Sequence, residues 1–261
     1  MKITDKNIDG GKAFDWDLAA SDYGKYRDIY PQQFYDRILA RGLCKDGQAV
    51  LDLGTGTGVL PRNMYLSGAK WTGVDSSEKQ IEQAKALSNG MDIEYICAAA
   101  EDIAFAENSF DTITACQCFW YFDHEKLLPE ILKVLKPGGR LLVLYMAWLS
   151  FEDKIAGESE KLVLKYNPKW TGAGETMRQI DIPACYNGHF EKVYHEEYKL
   201  PVRFTRESWN GRMKACRGIG ASLSETDVEL WEREHIKMLS ETAPEEFDIL
   251  HYAALAELKK R

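Results

Sequence analysis

The 261-residue chain has no excess of basic residues: 33 Lys and Arg stand against 41 Asp and Glu, a formal net charge of −8. A basic stripe that tracks phosphates is not evident, which makes nucleic acid a poor partner. Long apolar runs are also missing. The longest, "LLVLYMAWL" at Leu141–Leu149, is far short of the roughly 20 residues that span a bilayer. "MKITDKNIDGGKAFDW" at the amino terminus has no apolar centre, so a signal peptide is not expected. The six cysteines, at 44, 97, 116, 118, 185 and 216, are scattered. Only Cys116 and Cys118 are close, and alternate positions of a strand face opposite ways, so that pair does not converge on a metal ion. Reduced thiols, no metal site and a cytoplasmic protein are the expectations. There are no internal repeats and no low-complexity segments.

What is present is an ordinary globular composition, 45% hydrophobic and 28% charged. At this length folding buries roughly 70–75% of the unfolded chain's surface, so no covalent staple is needed. Residues up to about Asp22 are polar and expected to be mobile, with Phe14, Trp16 and Leu18 as docking points. "IYPQQFYDRILARGL" places Phe34, Ile38 and Leu39 at helical spacing behind Pro31. From Gly47 an alternation sets in. "QAVLDL" reads as a strand, with a helix near Val59–Leu66. "KWTGVD" is a second strand, followed by "SSEKQIEQAKALS", a helix with a serine cap. "DIEYICAA" and "SFDTITACQC" are further strands, "DHEKLLPEILKVLK" a helix with Leu127, Leu128, Ile131 and Leu135 on one face. "PGG" then turns the chain into the strand "RLLVLYMAWL". Short apolar runs alternating with helices specify a parallel sheet with helices on both faces.

After Ser150 the alternation stops. Ile155, Leu162, Val163 and Tyr166 mark a helix, "HFEKVYHEEYKLPVRF" has strand character, and Val228, Trp231, His235 and Met238 stripe another helix. "FDILHYAALAEL" is ambiguous between helix and strand on pattern alone. The expected division is a lead-in and lid over 1–46, a cofactor-binding core over 47–149, a substrate cover over 150–245 and a last core strand over 246–261.

The first strand runs into Gly54, Gly56 and Gly58. Dinucleotide folds require G-x-G-x-x-G, and here Val59 occupies the third position; the Gly-Lys-Ser/Thr of a P-loop is also missing. Asp52, at the carboxyl end of the strand, would repel a pyrophosphate but meet an ammonium group directly or through water. Asp75 ends the second strand 21 positions after Gly54, where an acidic side chain accepts from ribose hydroxyls. A ribose and a positive charge, with no phosphate required, describe S-adenosylmethionine. Two local alternatives stand beside this: Asp52 as a cap of the following turn, and Asp75 as a cap of the next helix.

Four ordered stretches, "VLDLGTGTG", "GVDSS", "AAAEDIAFAENSFDTITACQCFWYF" and "LPEILKVLKPGGRLLVLY", resemble the class I S-adenosylmethionine-dependent methyltransferases. The likeness is to the small-molecule branch that includes ubiquinone/menaquinone biosynthesis and trans-aconitate methyltransferases. With the lead-in "YGKYRDIYP" it covers more than half of the chain. It implies a Rossmann-like, doubly wound α/β fold whose seven-stranded, mostly parallel sheet has its last strand antiparallel, with a helical cap insertion. On that ground "FDILHYAALAELKK" is expected to be a strand. The resemblance also implies in-line methyl transfer to a small molecule, with S-adenosylhomocysteine as product.

Transferred by position, the resemblance puts Gly54 and Gly56 under the methionine part and Asp52 near its amino group. It puts Asp75 on the ribose, Ser76 and Gln80 beside the adenine, Ala100 and Glu101 at its polar edge, and Gln117 next to the methionine. Tyr23 and Arg27 would close over the cofactor or meet its carboxylate. Relatives with "GDAE" carry an aspartate where this chain has Ala99, so adenine is expected to be held by backbone or by Glu101 or Asp102, with loss or re-routing of a hydrogen bond of about 1 kcal/mol. Relatives of the trans-aconitate type carry "HW" where Trp120 and Tyr121 stand, so their substrate is not transferred.

Trp120, Tyr121, Phe122, Trp148, Trp170 and Trp209 are candidates for an aromatic acceptor cavity or for core packing, and Arg178, Arg203 and Arg206 for pairing with an anionic acceptor. His124 is read as capping a helix ahead of any catalytic role. No catalytic residue, acceptor atom or oligomeric state is specified by these patterns. A non-catalytic protein that binds or senses S-adenosylmethionine is the alternative reading.

Overall fold

In the computed structural model, which describes residues 2–261, seven strands form one sheet. They are β1 (Ala49–Leu53), β2 (Lys70–Asp75), β3 (Ile93–Cys97), β4 (Phe110–Cys116), β5 (Leu135–Trp148), β6 (Phe190–Thr205) and β7 (Glu246–Lys260), in the order β3-β2-β1-β4-β5-β7-β6. β1 to β5 pair in parallel. Hydrogen bonds from Arg206 N to Glu245 O and from Arg261 N to His189 O mark opposite ends of the β6/β7 pair. Those from Leu149 N to Leu250 O and Arg140 Nε to Glu257 do the same for β5/β7. The last strand therefore runs antiparallel to both neighbours, and the sequence expectation of a mostly parallel Rossmann-like sheet holds.

Eight α-helices accompany the sheet among the described residues: α1 (Ala20–Tyr26), α2 (Gln32–Ala40), α3 (Val59–Asn63), α4 (Glu78–Leu87), α5 (His124–Val134), α6 (Lys154–Tyr166), α7 (Arg206–Lys214) and α8 (Glu225–Thr242). None is long and apolar enough to cross a membrane. The chain divides into two compact units. The sheet unit holds Tyr30–Met146, Arg178–Tyr198 and Ala253–Arg261; the helical unit holds Met1–Ile29, Ala147–Met177 and Lys199–Tyr252.

The sheet unit's core follows from the apolar runs. Leu51, Leu53, Ile113, Leu127, Ile131, Leu135, Leu141 and Val143 are buried in one cluster. β1, central in the sheet, has no solvated face, so its residues Val50, Leu51 and Leu53 are fully buried. The "PGG" turn is absorbed within β5: the six residues from Leu135 to Arg140 face the three from Phe110 to Thr112, so the expected turn is a bulge inside a longer strand. In α2 the buried face is Phe34, Tyr35 and Ile38, while Leu39 is exposed. Residues 34, 35 and 38 share one stripe at 3.6 residues per turn, and 39 falls beyond it.

In the helical unit the polar start of the chain is tied down. Asp9 is fully buried, its Oδ2 2.9 Å from Arg217 Nε, and its Oδ1 accepts from Thr171 N at 2.7 Å. Phe14 is buried there and Leu18 exposed. A buried ion pair between residues more than two hundred positions apart has no local signature, which is why the segment reads as mobile in the sequence. On α8 the buried stripe is Trp231, His235 and Leu239; Val228 and Met238 lie at its margins.

Candidate functional site

The strand order places a topological switch point between β1 and β4: the chain moves outward through β2 and β3, then returns to the other side of β1. Ligands of open α/β sheets bind in the crevice at the carboxyl ends of the strands flanking such a point. Asp52, Gly54, Gly56, Asp75, Ser76, Gln80, Ala100, Glu101 and Gln117 all lie at or just beyond the carboxyl ends of β1 to β4. Tyr23, within α1, and Arg27, just after it, belong to the helical unit, where Arg27 Nε donates to Tyr23 Oη at 3.2 Å.

The β1 loop is held from both sides by carboxylates. Asp52 is buried, with Oδ2 accepting from Thr55 Oγ1 at 2.7 Å and Oδ1 from Thr114 Oγ1 at 2.6 Å. Burial raises its pKa from the ordinary carboxylate value to about 7; the two threonine hydroxyls oppose that shift and the charge of Asp75 adds to it. Asp75 is half-buried. Its Oδ2 accepts from Gly56 N and its Oδ1 from Ser77 N, both at 2.9 Å. The cap of α4 is instead Ser77, whose Oγ accepts from Gln80 N. Asp75 thus ties the glycine loop to the start of α4.

Gly54, Gly56 and Gly58 have φ of 61°, 56° and 73°, so a left-handed backbone is what the cluster supplies. A Cβ on Gly54 would lie 2.8 Å from Cys118 Sγ, and that thiol donates to Leu53 O at 3.0 Å. Burial pushes the Cys118 thiol well above its usual pKa, so it is an inert packing group.

Beyond β4 the chain turns at Gln117, itself at φ 66°, where its amide Nε2 donates to Met146 O. Glu101 Oε1 accepts from Asp123 N at 2.8 Å, which joins the loop after β3 to the start of α5. His124 does not cap α5; its Nδ1 lies 3.1 Å from Tyr186 Oη. Among the described residues no group of His, Cys, Asp and Glu could hold a metal ion.

Two buried polar atoms of this region have no hydrogen-bond partner among the described residues, Gln80 Oε1 and Thr57 Oγ1. Asp52 and Asp75 flank the loop, and the first cation beyond it, Arg62, donates from Nε to Thr57 O at 3.2 Å. The loop suits a ligand that brings hydroxyls, an amine and positive charge.

The acceptor candidates divide. In the sheet unit Trp120 is 41% exposed, its ring edge-on to Tyr145 at 4.8 Å. In the helical unit Trp148, Trp170 and Trp209 are buried together. Acidic side chains face the three arginines: Arg178 with Asp181, Arg203 with Glu246 and Asp248, and Arg206 with Glu245. Arg212, which the sequence reading passes over, is buried, at 4% exposure. Its only sequence signal is its position in "SWNGR", three residues from Trp209.

Residues 51–143 match the family described as "Methyltransferase domain". The chain is similar to the ubiquinone biosynthesis O-methyltransferase of Chromobacterium violaceum, 38% identical over 98 residues that make up 36% of this chain and 42% of that one. It is similar to the demethylmenaquinone methyltransferase of Clavibacter sepedonicus, 36% identical over 99 residues, 37% and 40% of the two chains. These matches span about two-fifths of the relatives' length. Among solved structures, the YcgJ protein of Bacillus subtilis superposes with a TM-score of 0.51 at 19% identity, covering 88% of this chain and 99% of that one.

Proposed function

We propose that the chain, whose residues 51–143 match the methyltransferase-domain family, transfers a methyl group from S-adenosylmethionine to a small molecule and releases S-adenosylhomocysteine. The observation that carries this reading is the pair Asp52 and Asp75, set around a left-handed glycine loop at the switch point.

In this reading Gly54 and Gly56 form the floor under the methionine part, and the buried charge of Asp52 attracts the ammonium end. A carboxylate accepts about four hydrogen bonds, and Asp75 uses this capacity both to hold Gly56 N–H and Ser77 N–H and to accept from the ribose. Gln80 Oε1 accepts from the nucleoside, Ser76, Ala100 and Glu101 border the adenine, and Gln117, fixed by Met146 O, borders the methionine. When bound, the sulfonium supplies a methyl group already activated by positive charge. The chain's own task is to align an acceptor in line with it and to exclude water, which is worth roughly 7–11 kcal/mol.

Calorimetric titration of the purified protein with S-adenosylhomocysteine, with NADH as control, is the test. Saturable heat with the first alone supports the reading; none in a folded sample removes it. Asp75→Asn is expected to weaken S-adenosylhomocysteine about 10- to 100-fold, the loss of a charge-assisted bond of about 1.5–3 kcal/mol. One of its two backbone bonds is lost as well, so the variant should unfold with about 1 kcal/mol less free energy. An unchanged dissociation constant would remove the ribose from Asp75.

Ala99 precedes the short 3-10 turn Ala100–Asp102 in an extended conformation with no side-chain cap. Ala99→Asp supplies both a cap and the carboxylate found in relatives with "GDAE". Affinity should rise about five-fold, the equivalent of roughly 1 kcal/mol, with an equal or higher melting temperature. A weaker complex would show that adenine is held in another way.

A further inference from the structure

Three buried arginines belong to the helical unit, and two have clear partners. Arg217 pairs with Asp9, and Arg27 donates to Tyr23 Oη. Arg212, on α7, has no ion-pair partner among the described residues, and its buried Nε has no hydrogen-bond partner. Its guanidinium sits over the ring of Trp148, 4.9 Å from the centroid. The nearby carboxylate of Glu160 is engaged elsewhere: Oε1 accepts from Trp148 Nε1 at 2.7 Å and Oε2 from Gly174 N at 2.9 Å. The ring beneath Arg212 is thereby fixed at its nitrogen edge. Trp209 packs edge-on against it at 5.6 Å, and Trp170 lies tilted at 6.3 Å. His251 stands edge-on to Trp209 at 6.4 Å. Its Nδ1 bonds Ile249 O, so Nε2 is an acceptor, and Nε2 too is buried without a partner.

Leaving a buried cation unpaired is costly, and folds avoid it unless the partner is not part of the chain. A guanidinium is a planar fork that matches a carboxylate in two parallel bonds. A single cation with Glu160 on the same ring disfavours a dianionic phosphate. Trp148 under the fork, with Trp170 and Trp209 packed on that ring, suits an apolar, flat body attached to the anion. We propose that Arg212, backed by Trp148, is the receptor for the carboxylate of an aromatic or unsaturated carboxylic acid. The proposal stands on the helical unit alone and is independent of the methyltransferase reading.

The test is thermal denaturation and calorimetry of the full chain with benzoate, cinnamate, their neutral amides and inorganic phosphate, each with and without S-adenosylhomocysteine. At least one carboxylate should bind saturably and raise the melting temperature, and its amide and phosphate should do neither. Arg212→Met should weaken that carboxylate at least ten-fold, leave S-adenosylhomocysteine binding unchanged, and melt at the same or a higher temperature, since it removes an unpaired buried charge. Arg212→Lys, a point charge without the fork, should retain part of the affinity. The proposal is overturned if no carboxylate binds, if amide and carboxylate bind alike, or if Arg212→Met melts markedly lower or fails to fold. Carboxylate binding through Arg212 in a protein that ignores S-adenosylhomocysteine would keep the anion site and remove the methyltransferase reading.

Discussion

Gly58→Ala should cost about 3–6 kcal/mol of folding free energy. Gly58 precedes α3 in a left-handed conformation, φ 73° and ψ 29°, which charges a residue with a Cβ about 1–2 kcal/mol. The Cβ would then lie 2.2 Å from Tyr95 Oη and 2.8 Å from its Cζ. Retreat is blocked on two sides. Tyr95 Oη is bonded to Ser88 Oγ at 2.8 Å, and the ring also lies against Gly73, whose own Cβ would be 2.9 Å from Tyr95 Cδ1. Overpacking of this kind costs about 1–3 kcal/mol, and a broken Tyr95–Ser88 bond about 1 more. Urea unfolding measures the sum. Tyr95→Phe removes the nearest atom but leaves Cζ at 2.8 Å, so the double variant should recover part of the steric cost and keep the backbone strain. A loss below about 1 kcal/mol in the single variant would mean that the loop is soft, and the rigid floor attributed to it would go with that.

That glycine also shows what could be read from the chain and what could not. The cluster at 54, 56 and 58 announces a backbone constraint, and the spacing against Asp52 and Asp75 indicates the ligand class. What each glycine faces is a different matter. Gly58 makes room for Tyr95 and Gly54 for Cys118, contacts set by β3 and by the turn after β4, far along the chain. Elements from β1 to β5 were legible because each is a local apolar run with its own cap or turn, as with Ser77 before α4. The last strand was not legible from pattern, since a strand buried throughout its second half shows no alternation; Tyr252 to Leu258 are all buried. The roles of the arginines were hidden for a related reason. Charge type is visible in sequence, but whether a carboxylate lies opposite is a tertiary fact, and it separates Arg203 and Arg206 from Arg212.

Asp52→Asn should stabilise the protein at pH 8 and leave it nearly unchanged at pH 4. The unfolded carboxylate ionises near its ordinary value of 3.8, while burial holds the folded one at about 7. Between these values the folded state binds the extra proton, so stability falls as pH rises from about 4 to about 7 and is level beyond that. A difference of about three pKa units corresponds to roughly 4 kcal/mol at its full extent. An amide in place of the carboxylate can still accept from Thr114 Oγ1 and can donate to Thr55 Oγ1, and it has no charge to desolvate. Urea unfolding of both proteins at pH 4, 6 and 8 should therefore give curves that diverge with pH; parallel curves would show that Asp52 ionises normally in the fold. Retaining a destabilising carboxylate at the switch point makes sense if a cationic ligand offsets it. On the proposed function, the ammonium end of S-adenosylhomocysteine favours the ionised form, so binding should tighten from pH 6 to pH 8 and release a fraction of a proton. Calorimetry in buffers of different ionisation enthalpy reads that proton directly. In Asp52→Asn both the pH dependence and the proton release should vanish and affinity should fall. If the release persists in the variant, another group titrates with the ligand, and the electrostatic role of Asp52 passes to it.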